Sequence, residues 1–174
     1  MLRHKQFLLR LKTLKKIRMS VFQFYKEQSF KVDRNELWKF ISNPGNLAKI
    51  TPPSMGFKIT SPYVADNMYP GQIITYRVVP MLGIPVVWVT EITHVVENEY
   101  FVDEQRSGPY SIWHHEHRLV DEDEGVLMQD LITYKPPIGI LGNFANRLFI
   151  IKTLNNIFEY RKKALEGFFG TQNY

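Results

Sequence analysis

The chain has 174 residues, enough for one domain with its own core, and its 44% hydrophobic and 14% aromatic content excludes a disordered protein. It holds no cysteine, which excludes disulfides, thiolate nucleophiles and cysteine-based zinc sites and fits a reducing, cytoplasmic setting. The net charge of +5 comes from residues 1–18, which carry seven basic residues and no acid; the remaining 15 basic residues face 17 acidic ones, so no nucleic-acid partner is expected.

That leader, MLRHKQFLLRLKTLKKIR, spaces Leu8, Leu11 and Leu14 among its Lys and Arg as a basic amphipathic helix would, without the apolar run of a signal peptide. Two readings stay open. The preferred one is a poorly ordered extension ahead of Met19; the other is contact with a membrane surface or a partner. Residues 19–170 then form a single domain. Val21 to Val32 alternates as a first strand, and Asp33 is a good N-cap for RNELWKFI, a short helix with Leu37, Phe40 and Ile41 on one side. SNPGN breaks it, and LAKITPPS gives a second helical turn that two prolines end.

Strand signals dominate from there. FKITSP, QIITYRVVP, PVVWVTEITHVV, YFVDEQRSG, YSIWHHEHRLV and VLMQDLITYKP are β-branched and aromatic runs separated by turn residues, as in an antiparallel meander. PPIGILGNFANR reads as a loop, with PPIGILG a hinge and NPGNLAKITPP facing it as a gate. Phe144 to Phe169 then repeats apolar residues every three to four positions, a long amphipathic helix with Arg161, Lys162 and Lys163 mostly off the apolar stripe. The fold class is α+β: a curved antiparallel sheet of about seven strands wraps the C-terminal helix, with two short helices after the first strand. A cavity between sheet and helix follows.

NPGNLAKITPPSMGFKI, GPYSIWHHEHRL, DLITYKPPIGILG and FEYRKKALEGFF resemble the START-like helix-grip superfamily (SRPBCC), in particular its bacterial ligand-binding domain proteins, some labelled polyketide cyclase-like. The resemblance covers about residues 20–170. It implies a helix-grip fold and binding of a hydrophobic, lipid-like small molecule, with catalysis in some branches only.

Three of the five histidines fall in WHHEH, but strand parity divides them. Ser111, Trp113, His115, His117 and Leu119 share one face; Tyr110, Ile112, His114, Glu116 and Arg118 share the other, which reads as solvated. Folding the next hairpin about Glu122–Glu124 brings Asp130 opposite His115 or His117, where it would hold the histidine's tautomer and raise its pKa. Three chemistries compete. A metal would have His115 and His117 as ligands with Asp130 or Glu91 as a third; proton transfer would use His115 or His117 as base with Asp130 orienting it; a hydrogen-bonded polar row would orient a ligand or satisfy itself in the core.

The polar row is preferred, with neither metal nor cofactor expected. The proposed ligand contacts are Trp88, Trp113, Phe144 and Leu148 for apolar surface, and His115, His117, Asp130 and Tyr134 as polar anchors. Arg77 and Arg106 read as exposed. A binding protein is therefore preferred over a cyclase- or dehydratase-type enzyme. A structural or partner-binding domain with a filled interior is a further alternative.

Overall fold

The computed structural model describes residues 21–81, 83–136 and 149–170. Seven strands form one antiparallel sheet: β1 (Phe22–Phe30), β2 (Lys58–Ile59), β3 (Gln72–Met81), β4 (Ile84–Val96), β5 (Tyr100–Ser107), β6 (Ile112–Glu122) and β7 (Gly125–Lys135). Their order is β1-β7-β6-β5-β4-β3-β2, so the first strand closes against the last and the rest is a meander. Helix α1 (Arg34–Ile41) and two 3-10 helices, Pro44–Ile50 and Pro53–Met55, connect β1 to β2, and α2 (Ile151–Phe169) follows the sheet. Helix α1 ends at Ile41 with Ser42 as its C-cap, ahead of NPGN, and Pro44 then opens the first 3-10 helix. No helix among the described residues is long and apolar enough to cross a membrane.

Local chemistry accounts for the element ends. The Asp33 carboxylate accepts hydrogen bonds from the Asn35 N–H at 2.8 Å and the Glu36 N–H at 3.3 Å, satisfying two of the donors that a helix start leaves unpaired. At the β6–β7 turn Gly125 has φ +140°, and a Cβ there would lie 2.0 Å from the Phe30 carbonyl oxygen. Only glycine lets the turn pass so close to β1. The turn sets the pairing of β6 with β7, in which His117 faces Asp130.

Strand parity delivers one buried face. Along β7 the buried residues are Val126, Met128, Asp130, Ile132 and Tyr134, every second position. On α2 they are Leu154, Phe158, Arg161 and Leu165, at helical spacing of four, three and four. The sequence reading put Arg161 outside that stripe; the structure places it within. Phe40 of α1 is only half-buried, and Trp38 joins Leu37 and Ile41 inside.

The interior is not uniformly apolar. One cluster gathers Phe30, Leu37, Trp38, Leu119, Met128 and Leu165; a second gathers Phe24, Ile132, Tyr134, Ile150, Leu154 and Phe158. Between them, on three elements, lie polar side chains: Asp130 after Met128 on β7, His115 and His117 before Leu119 on β6, and Arg161 before Leu165 on α2. Each breaks its element's apolar pattern at the same level of the fold.

Candidate functional site

A polar cluster is built from three adjacent strands and the helix that covers them. In the β5–β6 register Asp103 faces His115 and Phe101 faces His117, while in the β6–β7 register His117 faces Asp130. Since β6 is central, its two same-face histidines have a carboxylate on either side. His115 Nε2 donates to Asp130 Oδ1 at 3.0 Å, and His117 Nδ1 stands 2.8 Å from the same oxygen. The other ring nitrogens face the other carboxylate: His117 Nε2 is 3.0 Å and His115 Nδ1 is 3.4 Å from Asp103 Oδ2. The imidazole centroids lie 3.7 Å apart, and Phe101 stacks on His117 with centroids 4.2 Å apart. Arg161 Nη1 lies 3.6 Å from Asp130 Oδ1, and its guanidinium carbon sits 4.6 Å from the centre of the Phe158 ring.

Electrostatics divides the groups. Burial would raise both carboxyl pKa values, but the hydrogen bonds and charge of the histidines outweigh it: Asp130 is held far below the usual carboxylate range. Asp103 is also held low, with Arg161 contributing. Burial also acts against imidazolium at both histidines. At His117 the two carboxylates overcome it and the pKa rises; at His115 burial and the neighbouring His117 charge prevail and the pKa falls. The two carboxylates thus face the Arg161 cation and a His117 ring drawn toward its charged form, so opposite charges are paired within the cluster.

The cluster forms part of the wall of a cavity of about 160 Å³ between sheet and helix. Among the described residues that wall includes Trp88, Trp113, Ile92, Phe101, Leu154 and Phe158, and the 3-10 segment contributes Leu47, Ile50 and Thr51. Asp103, His115, His117 and Arg161 also reach it; Asp130 lies behind the histidines. The Trp88 indole Nε1 and the Arg161 Nε are buried with no hydrogen-bond partner. The Tyr76 hydroxyl shares a 3.0 Å hydrogen bond with Thr90 Oγ1 on the same wall, and its burial pushes its pKa up.

The proposed ligand contacts meet this wall unevenly. Trp88, Trp113, His115 and His117 are on it; Phe144 and Leu148 lie outside the described residues, as does most of the PPIGILG hinge. Tyr134 is 1% exposed and packs against Phe22 and against Tyr110 and Trp113, which belong to the wall, so it stands directly behind the described lining. Glu91, weighed as a third metal ligand, is instead hydrogen-bonded by Arg106 on the outer face. His94 is exposed because a register shift between Ile92 and His94 reverses the parity of β4. His114 pairs with Glu104 on the outer side, as the parity rule requires.

Asp103 and Arg161 were not singled out from sequence. Folding β5 and β6 about Gly108–Pro109 sets Asp103 against His115, and the four-three-four spacing with Leu154, Phe158 and Leu165 places Arg161 inward.

Compared by sequence, the chain matches no family model and no curated protein. Compared by structure, it is similar to a protein from Chromobacterium violaceum (TM-score 0.64, 10% identity, 86% of this chain and 98% of that one). It is also similar to ginseng major latex-like protein 151 from Panax ginseng (TM-score 0.62, 10% identity, 86% and 97% covered). A third likeness is to a protein from Mycobacterium smegmatis (TM-score 0.60, 17% identity, 84% and 92% covered). These likenesses span most of each chain, and together with the seven-stranded antiparallel sheet and C-terminal helix they show that the chain has a helix-grip fold.

Proposed function

We propose that the protein binds a small, largely apolar molecule that carries one polar or acidic group. The observation that carries this reading is an apolar cavity of about 160 Å³ whose wall includes buried His115 and Arg161 and partly buried His117 and Asp103. A cavity near this volume accommodates a benzene-sized molecule, so the fitting class is a single aromatic ring or a short acyl chain. Apolar surface supplies affinity, while the indole N–H of Trp88 and the Nε of Arg161 await acceptors. An open cavity of this kind also counts against an interior filled by its own side chains.

The test is native mass spectrometry of the purified protein together with calorimetric titration of benzoic acid, a single-ring probe of the fitting class. One co-purifying molecule, or saturable binding of the probe, is expected. A chain that carries nothing and binds no apolar probe contradicts the reading.

A second reading, a cyclase- or dehydratase-type enzyme, is favoured by one feature. His115 is held neutral at the cavity wall and oriented by Asp130, which is the arrangement of a general base. A His115→Gln variant that keeps ligand affinity but stops turnover separates it from simple binding.

A further inference from the structure

The positions of three donor atoms in the polar cluster carry a separate conclusion. His115 Nδ1 and His117 Nε2 lie 3.4 and 3.0 Å from Asp103 Oδ2. One ligand atom from each of Asp103, His115 and His117 lies within 4.8 Å of the others. Ligands bound to one cation at about 2.0–2.2 Å stand roughly 2.9–3.4 Å apart when neighbouring in octahedral or tetrahedral geometry. Both separations from Asp103 Oδ2 fall in that interval. We propose that Asp103, His115 and His117 form a binding site for one divalent first-row transition cation or zinc, with the remaining coordination positions facing the cavity.

The surroundings fit this assignment from two further directions. A metal-bound imidazole needs its second ring nitrogen fixed by an acceptor, which sets the tautomer and the ring orientation. Asp130 Oδ1 stands 3.0 Å from His115 Nε2 and 2.8 Å from His117 Nδ1, on the side of both rings away from Asp103. One carboxylate thus serves both histidines from behind the cavity wall, and Arg161 in turn balances that carboxylate. The second direction is access. Asp103 and both histidines belong to the cavity wall and Asp130 does not, so an ion enters from the cavity and retains open positions there. Two imidazoles and one carboxylate select a transition cation or zinc over magnesium or calcium, which take mostly oxygen ligands.

With both imidazoles neutral, a divalent ion, Asp103, Asp130 and Arg161 together carry one positive charge. The open positions therefore attract an anionic oxygen, such as a ligand carboxylate. The expected third ligand was Asp130 or Glu91. Asp130 instead occupies the supporting position, and Glu91 is turned to the outer face.

Cobalt(II) tests the site, because its visible absorption reports both occupancy and geometry. Chelator-treated protein titrated with cobalt chloride should show saturable bands at one equivalent. Asp103→Asn, which keeps the side-chain shape, should remove them. Asp130→Asn should weaken binding about 10–100-fold, the usual effect of losing a supporting carboxylate. Absence of a saturable signal in the unaltered protein overturns the proposal, and so does an Asp103→Asn variant that binds equally well. Circular dichroism establishes that each variant is folded. If Asp103→Asn does not fold, X-ray absorption on the cobalt-loaded unaltered protein decides: scattering from two imidazoles is expected, and its absence overturns the site. Binding of the apolar probe is measured in metal-free protein, so the two proposals fail separately.

Discussion

Arg161 of α2 and Asp130 of β7 meet across the interior, with Nη1 3.6 Å from Oδ1 and both side chains at most 10% exposed. Helix and sheet are thus joined by a charged contact in a place where every neighbouring layer is apolar. Removing one member of a buried ion pair leaves the other charge stranded, which costs about 3–5 kcal/mol. Arg161→Met should lower unfolding stability by about 3 kcal/mol in urea titrations. A loss below about 1 kcal/mol would mean that the histidines alone neutralise Asp130.

Acid stability should follow Asp130. Its pKa in the folded state lies far below the ordinary 3.8, so its contribution is complete above that value and is lost as pH falls toward the folded value. Unfolding free energy of the unaltered protein should therefore drop steeply below about pH 4. Asp130→Asn should be less stable at neutral pH and show a shallower acid slope. His115 and His117 from β6 and Arg161 from α2 all face this carboxylate, so the comparison is of slopes between the two proteins.

Ligand entry should be visible in intrinsic fluorescence. Of the three tryptophans, Trp88 and Trp113 line the cavity with ring centroids 5.1 Å apart, whereas Trp38 packs in the other cluster against Phe101. A bound aromatic acid should shift or quench emission, and the change should vanish in a Trp88→Phe, Trp113→Phe double variant. A response that persists there comes from Trp38, which touches the wall residue Phe101, and places the ligand on that side of the cavity rather than between Trp88 and Trp113.

Gly125→Ala should cost about 2 kcal/mol or more, since the added methyl collides with the Phe30 carbonyl and φ is positive. Chemical denaturation measures the loss. The same variant should weaken the cavity probe if the β6–β7 turn also holds the His117–Asp130 pairing.

Much of this architecture could be read from the chain because period-two alternation and turn residues are local signals. Parity separated His114 and Glu116 from His115 and His117, and one hairpin fold placed Asp130 beside the row. The His117–Asp130 pairing observed is one of the two allowed by that fold. Asp103 needed a second hairpin, folded about Gly108–Pro109. Arg161 needed a charged residue to be taken as inward-facing, against the usual preference, and only its partner Asp130 makes that tolerable. His94 was unreadable in principle from alternation, since the register shift in β4 inserts a change of parity that no local pattern marks.

The charged layer at Asp130, His115, His117 and Arg161 divides the core into two apolar compartments. One holds Trp38, Leu119 and Leu165, and the other holds Phe24, Ile132 and Leu154. Opening the second compartment exposes its own contacts without first dismantling those around α1. Two units of local stability rather than one are therefore expected. Amide exchange at the start of α2 should be faster than at Leu165, and an occupant of the cavity, touching Met128 on one side and Leu154 on the other, should slow both together.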